Sequence, residues 1–355
     1  MQRSVSLVTP VPDATADSVE INDHHYTLET LEKTSILLTK NPEYYTIWNY
    51  RRLILQHQLS ITGADSSEQS AADQTVSMIK DDLQFLLPLL RSYPKCYWIW
   101  NYRLWLLGEA SHLLPSSVAH GFWQEELGLV NKMLSFDDRN FHGWGYRRYV
   151  VEQLENLTPT ETMTQKELDY TTKMIRSQLS NFSAWHNRTK LLRTLLDERA
   201  ASDDERKNTL DGGENVLGRL LQMSTDMRSL ELELIHQALI DPYDQSLWFY
   251  HQNLMCTFDP ALSVQAIAPN LTDSERLDYI RREKEAIEDM LDGAEGCKWI
   301  YQGLIDCTLL QTKIERSLSR NAKQDVTRWL HELIKLDPNR RGRWLDFEKS
   351  LNAWQ

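Results

Sequence analysis

Hydrophobic and polar positions follow a helical pattern that repeats along the chain. Five segments are centred on a tryptophan and carry apolar residues six and seven positions later: Trp48, Trp100, Trp144, Trp185 and Trp248. In four of the five, an aromatic residue precedes the tryptophan by three positions and an arginine follows it by three. Offsets of −3, 0, +3 and +7 fall on one side of a helix with about 3.6 residues per turn. Each segment therefore predicts an amphipathic helix with an aromatic-rich inner face.

Another apolar, helix-spaced stretch precedes each tryptophan segment, so the repeating unit is a helix hairpin. Pro42 and Pro242 each stand six residues before a repeat tryptophan, where a turn enters a helix. Two weaker units follow, one reaching Trp299 and the other Trp344. About seven hairpins fit, and stacked hairpins of this kind share a continuous core. We expect an all-α chain with one helical-hairpin repeat domain over residues 21–355 and a poorly ordered N-terminus over residues 1–20.

The periodicity also assigns roles to two residue types. The twelve tryptophans are expected to be core residues. The four arginines that recur at one offset are expected to be structural, pairing with acids of a neighbouring helix or stacking on aromatic rings. They are Arg51, Arg103, Arg147 and Arg188.

Composition narrows the class of protein. The 355 residues carry a net charge of −12, which disfavours a nucleic-acid binder. No run of apolar residues is long enough to span a membrane, and the first twenty residues lack the pattern of a signal peptide, so we expect a cytoplasmic protein. The four cysteines form no CxxC pair and are expected to be reduced thiols, outside any zinc site.

The repeat, with its aromatic, tryptophan and arginine at fixed offsets, resembles that of the protein prenyltransferase α subunits over roughly residues 25 to 350. A tetratricopeptide scaffold also stacks hairpins, but its regular period of about 34 residues is missing here. Three patches are similar to the members of the family that serve Rab GTPases, and the chain as a whole resembles their compact fungal form. The patches are residues 138–148, residues 241–250, and the pair 297–299 with 336–340.

The resemblance implies a right-handed superhelical solenoid that wraps a β subunit in a heterodimer. The β subunit would hold the catalytic zinc, and no cofactor is expected in this chain. The reaction implied is transfer of geranylgeranyl from geranylgeranyl diphosphate to C-terminal cysteines of a Rab GTPase presented by a Rab escort protein. Two alternatives stay open: the α subunit shared by the CaaX farnesyltransferase and type I geranylgeranyltransferase, and a non-catalytic helical-repeat scaffold.

The resemblance also points to three candidate catalytic residues. Lys95, five positions before Trp100, would reach the isoprenoid diphosphate; otherwise it is a solvated loop lysine. Tyr97 is expected to be mostly core by the repeat pattern, with its hydroxyl also facing the active-site cleft. His142 would line the surface facing the β subunit, although a histidine among aromatic rings is more often a structural hydrogen-bond partner. Trp98 stands where the CaaX subunit has a glutamine that binds the peptide carboxylate, which implies that such recognition is absent.

Overall fold

Every regular element of the described chain is a helix. A computed structural model describes residues 25–62, 68–211 and 231–353, and it contains no strand within those ranges. The fifteen α-helices of these ranges are α1 (Leu28–Lys40), α2 (Tyr45–Thr62), α3 (Glu68–Ser92), α4 (Tyr97–Leu113), α5 (Ser116–Phe136), α6 (Phe141–Leu157), α7 (Thr164–Ser177), α8 (Phe182–Glu198), α9 (Asp203–Asp211), α10 (Glu231–Ala238), α11 (Gln245–Met255), α12 (Asp273–Asp289), α13 (Lys298–Glu315), α14 (Arg320–Leu336) and α15 (Arg341–Ala353). Short 3₁₀ helices lie at Cys256–Phe258, Pro260–Gln265 and Pro338–Arg340.

The helices pack as hairpins within two compact units that divide between Glu161 and Thr162. The first unit holds the pairs α1/α2, α3/α4 and α5/α6, and the second holds α7/α8, α10/α11, α12/α13 and α14/α15. The predicted all-α class and the seven hairpins are confirmed. The expected single domain over residues 21–355 stays a prediction, and the expected poorly ordered residues 1–20 lie outside the described residues.

The repeat tryptophan anchors each of the first five hairpins. All five side chains are buried, with exposed fractions between 0% and 5%, as the repeat predicts. In every case the indole N–H donates to the backbone carbonyl six residues earlier, at 2.7–2.8 Å. A buried indole needs a partner for its one donor. This bond therefore explains why the tryptophan recurs at a fixed distance from the entry turn.

The aromatic residue three positions before the tryptophan behaves differently from the expectation. It is the first residue of its helix in hairpins one to four, and it is exposed in all four: Tyr45, Tyr97, Phe141 and Phe182. Side chains of a helix tilt toward its N-terminus. A side chain on the first residue therefore projects over the entry turn and away from the hairpin core, so placing this offset on the buried face was wrong.

Buried acids join consecutive hairpins. Asp82 on α3 accepts hydrogen bonds from Arg51 of the preceding hairpin and from Tyr102 of its own. In the same way, Glu126 on α5 accepts hydrogen bonds from Arg103 of the preceding hairpin at 2.7 Å and from Tyr146 of its own at 2.5 Å. Arg51 and Arg103 are thus structural, as predicted.

The second unit repeats this arrangement at Glu231 and varies it at Glu283. Glu231 on α10 receives Arg188 of α8 and Tyr250 of α11. Glu283 on α12 is met instead by His251, at 3.0 Å. His251 is the position where the sequence departs from arginine, and the imidazole preserves the contact with the acid of the next hairpin.

Three details correct the sequence expectations. Tyr301, and not Trp299, takes the place of the repeat tryptophan in the sixth hairpin, because its hydroxyl donates to the carbonyl of Glu295, six residues earlier. Trp98 and Trp105 are only half-buried, so not every tryptophan is a core residue. Small and polar residues over 200–214 favour a loop insertion, but the described part of this range contains α9, whose start is stabilised by reciprocal hydrogen bonds between Ser202 and Glu205.

Candidate functional site

Lys95 lies in the turn that enters α4, with its side chain 72% exposed. Its Nζ is 3.5 Å from the carboxylate of Asp137, the residue that ends α5. An exposed ion pair of this kind contributes little to stability. The ammonium is therefore held near the entry turn of the third hairpin but stays accessible to an anionic ligand.

Tyr97, two residues later, is 52% exposed, so the expectation that it is mostly core is wrong. Its ring is one member of an exposed aromatic row that crosses the starts of α2, α4 and α6. Tyr45 stacks on Trp98 at 5.7 Å between ring centroids, and Trp98 meets Tyr97 edge-on at 5.4 Å. The row continues to His142, 6.3 Å from Tyr97, and to Phe141.

His142 sits within this row, with its ring centroid 4.0 Å from that of Phe141. Partial burial lowers the pKa of His142 below its ordinary value, and the carboxylate of Glu43 only partly offsets this effect. A neutral imidazole can both donate and accept a hydrogen bond at pH 7. Lys95, rather than His142, therefore supplies the positive charge at this end of the two hairpins.

A chain of two hydrogen bonds that the sequence did not predict fixes the hydroxyl of Tyr97. Arg52 on α2 donates to the side-chain oxygen of Asn101 at 2.5 Å, and Asn101 donates to the Tyr97 hydroxyl at 3.2 Å. The Arg52 guanidinium lies over the Trp105 ring, and its half-burial lowers its pKa. The signal in the sequence was the repeated Trp-Asn-Tyr-Arg string, whose asparagine at Asn101 holds the tyrosine hydroxyl.

The entry turns that carry the candidate residues are fixed by side chains of neighbouring hairpins. The Cys96 thiol donates to the Pro42 carbonyl at 3.4 Å, the same oxygen that accepts the Trp48 indole. Asn140 donates to the Pro94 carbonyl at 2.9 Å, immediately before Lys95. It also accepts backbone N–H groups at the start of α6. These bonds make the positions of Lys95 and His142 depend on the packing of successive hairpins.

The site joins an accessible ammonium, a phenol and an imidazole along one aromatic surface. Among residues 25–62, 68–211 and 231–353, no group of three histidine, cysteine, aspartate or glutamate side chains is placed to hold a metal ion. Within the same ranges, no helix has the length and apolar character to cross a bilayer. The local chemistry suits the neutralisation of an anion, such as a diphosphate, against an apolar surface.

Comparison with known proteins identifies the family of the chain. The family model described as protein prenyltransferase alpha subunit repeat matches residues 15–58, 79–110, 123–154 and 164–195. The chain is 34% identical to the geranylgeranyl transferase type-2 α subunit of Candida albicans, in a match that covers 91% of this chain and 86% of that one. The corresponding subunit of Schizosaccharomyces pombe is also 34% identical, with 92% and 86% covered.

A solved structure shares the fold. The matching chain of Candida albicans protein geranylgeranyltransferase-I complexed with GGPP aligns with a TM-score of 0.60 at 18% identity, over 99% of this chain and 95% of that one. Identity this low shows the fold alone, so it does not favour the type I enzyme. The sequence matches over most of both chains decide between the subclasses, and the chain belongs to the family of geranylgeranyl transferase type-2 α subunits, within the protein prenyltransferase α-subunit repeat proteins.

Proposed function

We propose that this chain forms a heterodimer with a prenyltransferase β subunit in the cytoplasm. The heterodimer transfers geranylgeranyl from its diphosphate to C-terminal cysteines of a Rab GTPase that is presented by a Rab escort protein. The membership of the type-2 family supports the reaction, and the subunit naming of the relatives supports the β partner.

The exposed aromatic row is the observation that carries the proposal. Tyr97 and Phe141 are large aromatic residues, yet they lie outside the hairpin core and expose 52% and 68% of their surface. Contiguous exposed apolar surface on a soluble protein usually marks an interaction site. Lys95 lies two residues before Tyr97, so a partner that covers the aromatic rings would also lie against the ammonium.

Within that site, Lys95 offsets the negative charge that develops on the diphosphate as the bond to the isoprenoid breaks. The Tyr97 hydroxyl, fixed by Asn101, and the neutral His142 imidazole offer hydrogen bonds at the same surface. We assign the catalytic zinc to the β subunit. A zinc ion bound there would coordinate the substrate cysteine and lower the pKa of its thiol, so that the thiolate can act as the nucleophile.

The position of Trp98 favours Rab proteins over CaaX peptides as substrates. Its indole is wedged between Tyr45 and Tyr97, at 5.7 and 5.4 Å between centroids. A large, mostly apolar ring in this place cannot replace a compact amide that binds a terminal carboxylate. A substrate held by a carrier protein does not need that contact.

Co-purification with the β subunit tests the proposal. Wild-type chain expressed with a β subunit should elute with it in a one-to-one ratio. Phe141→Asp should weaken this association, because it places a charge in the aromatic row. Leu113→Asp is a matched control, since Leu113 is also exposed but lies at the opposite end of α4. An equal effect of the two variants, or no association of the wild type, would contradict the proposal.

A further inference from the structure

A cavity of about 280 Å³ lies between α11 and α13 in the second unit. Its walls include the rings of Trp248, Phe249 and Trp299 and the side chain of Leu310, and Asp306 carries a carboxylate into this apolar surround. Pockets for whole small-molecule ligands generally exceed about 300 Å³. This cavity lies at the lower end of that range and has room for a single long side chain.

The hairpin pattern explains part of the space. Two residues after the repeat position, hairpins one, two, three and five carry a tyrosine, whereas the sixth carries Gly303. A Cβ atom at Gly303 would stand only 2.7 Å from the ring of Trp248, so the indole rests directly against the glycine backbone. Gly303 therefore allows the Trp248 ring, which lines the cavity, to lie directly against α13.

Asp306 is not required by the repeat. The positions that correspond to it in the first five hairpins hold leucine, tryptophan, tyrosine, lysine and asparagine. Its carboxylate accepts a hydrogen bond from Gln252 at 3.4 Å, and no cation of the described chain lies within ion-pair distance of it. Burial raises the pKa of Asp306 to about 6, with Gln302 and the more distant Arg343 and His251 opposing the shift. The carboxylate is thus costly to ionise in the chain alone.

We propose that this cavity receives an arginine side chain of the β subunit, with the guanidinium paired to Asp306 and the aliphatic stem packed against Trp248 and Trp299. The inference rests on the heterodimer proposed above. Arginine combines the three features that the cavity asks for: a cation for the carboxylate, a planar group that stacks on aromatic rings, and an apolar stem. Arginine in a well-packed pocket is also a frequent centre of binding energy at protein interfaces.

The cavity is continuous with exposed aromatic surface in its own unit. Phe249 lines the cavity and lies 6.3 Å from Phe182, the exposed first residue of α8. Phe182 occupies the hairpin position that Tyr97 and Phe141 occupy in the first unit. A partner that covers Phe182 would therefore also contact Phe249 at the edge of the cavity.

The other charges at the cavity leave Asp306 as the group available to a cation. Lys313 lines the cavity but is paired with Asp259 at 2.7 Å. His251 on α11 is paired with Glu283. The thiols of Cys256 and Cys307 are nearby, and burial raises the pKa of both, which keeps them neutral. With these groups paired or neutral, and with Arg343 beyond ion-pair distance, the carboxylate of Asp306 has no direct cation partner among the described residues.

The test is the dissociation rate of the purified heterodimer for wild type, Asp306→Asn and Glu315→Gln. Asp306→Asn preserves shape and removes the charge, and the dimer should dissociate roughly tenfold faster or more, as is typical when one member of a buried charge pair is lost. Glu315→Gln changes the charge of the same helix outside the cavity and should dissociate like wild type. The difference in affinity between wild type and Asp306→Asn should shrink at pH 5, because the carboxyl of the free wild-type chain is then protonated and must release its proton to pair with the arginine.

Thermal unfolding of the full chain distinguishes an interface role from a structural one. Asp306→Asn should unfold at the same temperature as wild type or higher, because it removes a charge that burial makes costly to ionise and that has no cation within ion-pair distance in the described part of this chain. A lower unfolding temperature, or equal dissociation rates of the two heterodimers, would overturn the arginine site and leave the proposed function intact. Failure of the wild-type chain to bind a β subunit would overturn both.

Discussion

At the scale of single residues, the position in the helix decides what an aromatic side chain does. Trp100 and Tyr97 belong to the same helix and the same motif, yet Trp100 is buried and Tyr97 is exposed. Periodicity alone groups them on one face, because it does not show that α4 begins at Tyr97. Lys95 was recognisable only through the family resemblance, since an exposed turn lysine has no distinctive pattern of its own.

Replacing Lys95 with alanine tests its assigned role. We expect the variant to co-purify with the β subunit as wild type does. The single-turnover transfer rate should fall, because the variant loses about 2.7–4 kcal/mol of transition-state stabilisation. Lys349→Ala is a suitable control, because Lys349 is similarly exposed in a surface ion pair with Asp346. Transfer by the Lys95 variant at the wild-type rate would show that the lysine is only a solvated turn residue.

The two kinds of tryptophan should also differ in stability. Trp144→Ala should lower the free energy of unfolding by about 3–5 kcal/mol, because it empties a buried site and removes the bond to the Asp138 carbonyl. Trp98→Ala should cost less than half as much, since Trp98 is half-buried in the aromatic row. Urea unfolding of both variants checks this, and equal losses would contradict the distinction.

At the scale of helices, the recurring residues form the contacts that join consecutive hairpins. The arginines at the recurring offset were predictable as structural residues from their recurrence. Their acids were not, because Asp82, Glu126 and Glu231 stand on first helices that show no common motif. The tyrosine hydroxyl that joins the arginine at each of these three acids became evident only with the packing of the helices.

Arg188→Ala should be much more damaging than a surface change on the same helix. It leaves Glu231 as a buried carboxylate without its cation, and the loss of one partner of such a pair costs about 3–5 kcal/mol. Arg193→Ala on α8 breaks an exposed ion pair with Asp197 and should change stability by about 0.5 kcal/mol or less. Thermal or urea unfolding gives both values, and similar losses would rule out the proposed contribution of the buried pair.

At the scale of the whole molecule, the number and type of hairpins were predictable, because a tryptophan repeat survives unequal loop lengths. Helix α9 was not, since its nine residues carry no apolar stripe and are stabilised by capping at Ser202. The cavity beside α13 also escaped prediction. It depends on Gly303 and Asp306, whose types depart from the repeat and whose meeting with Trp248 requires two hairpins to pack together.

The most direct test of the central claim is a transfer assay with the purified heterodimer. Geranylgeranyl diphosphate is supplied with either a Rab GTPase, with and without its escort protein, or a short CaaX peptide. We expect modification of the Rab protein only when the escort protein is present, and no modification of the peptide. Efficient prenylation of the CaaX peptide without an escort protein would contradict the assignment to Rab substrates.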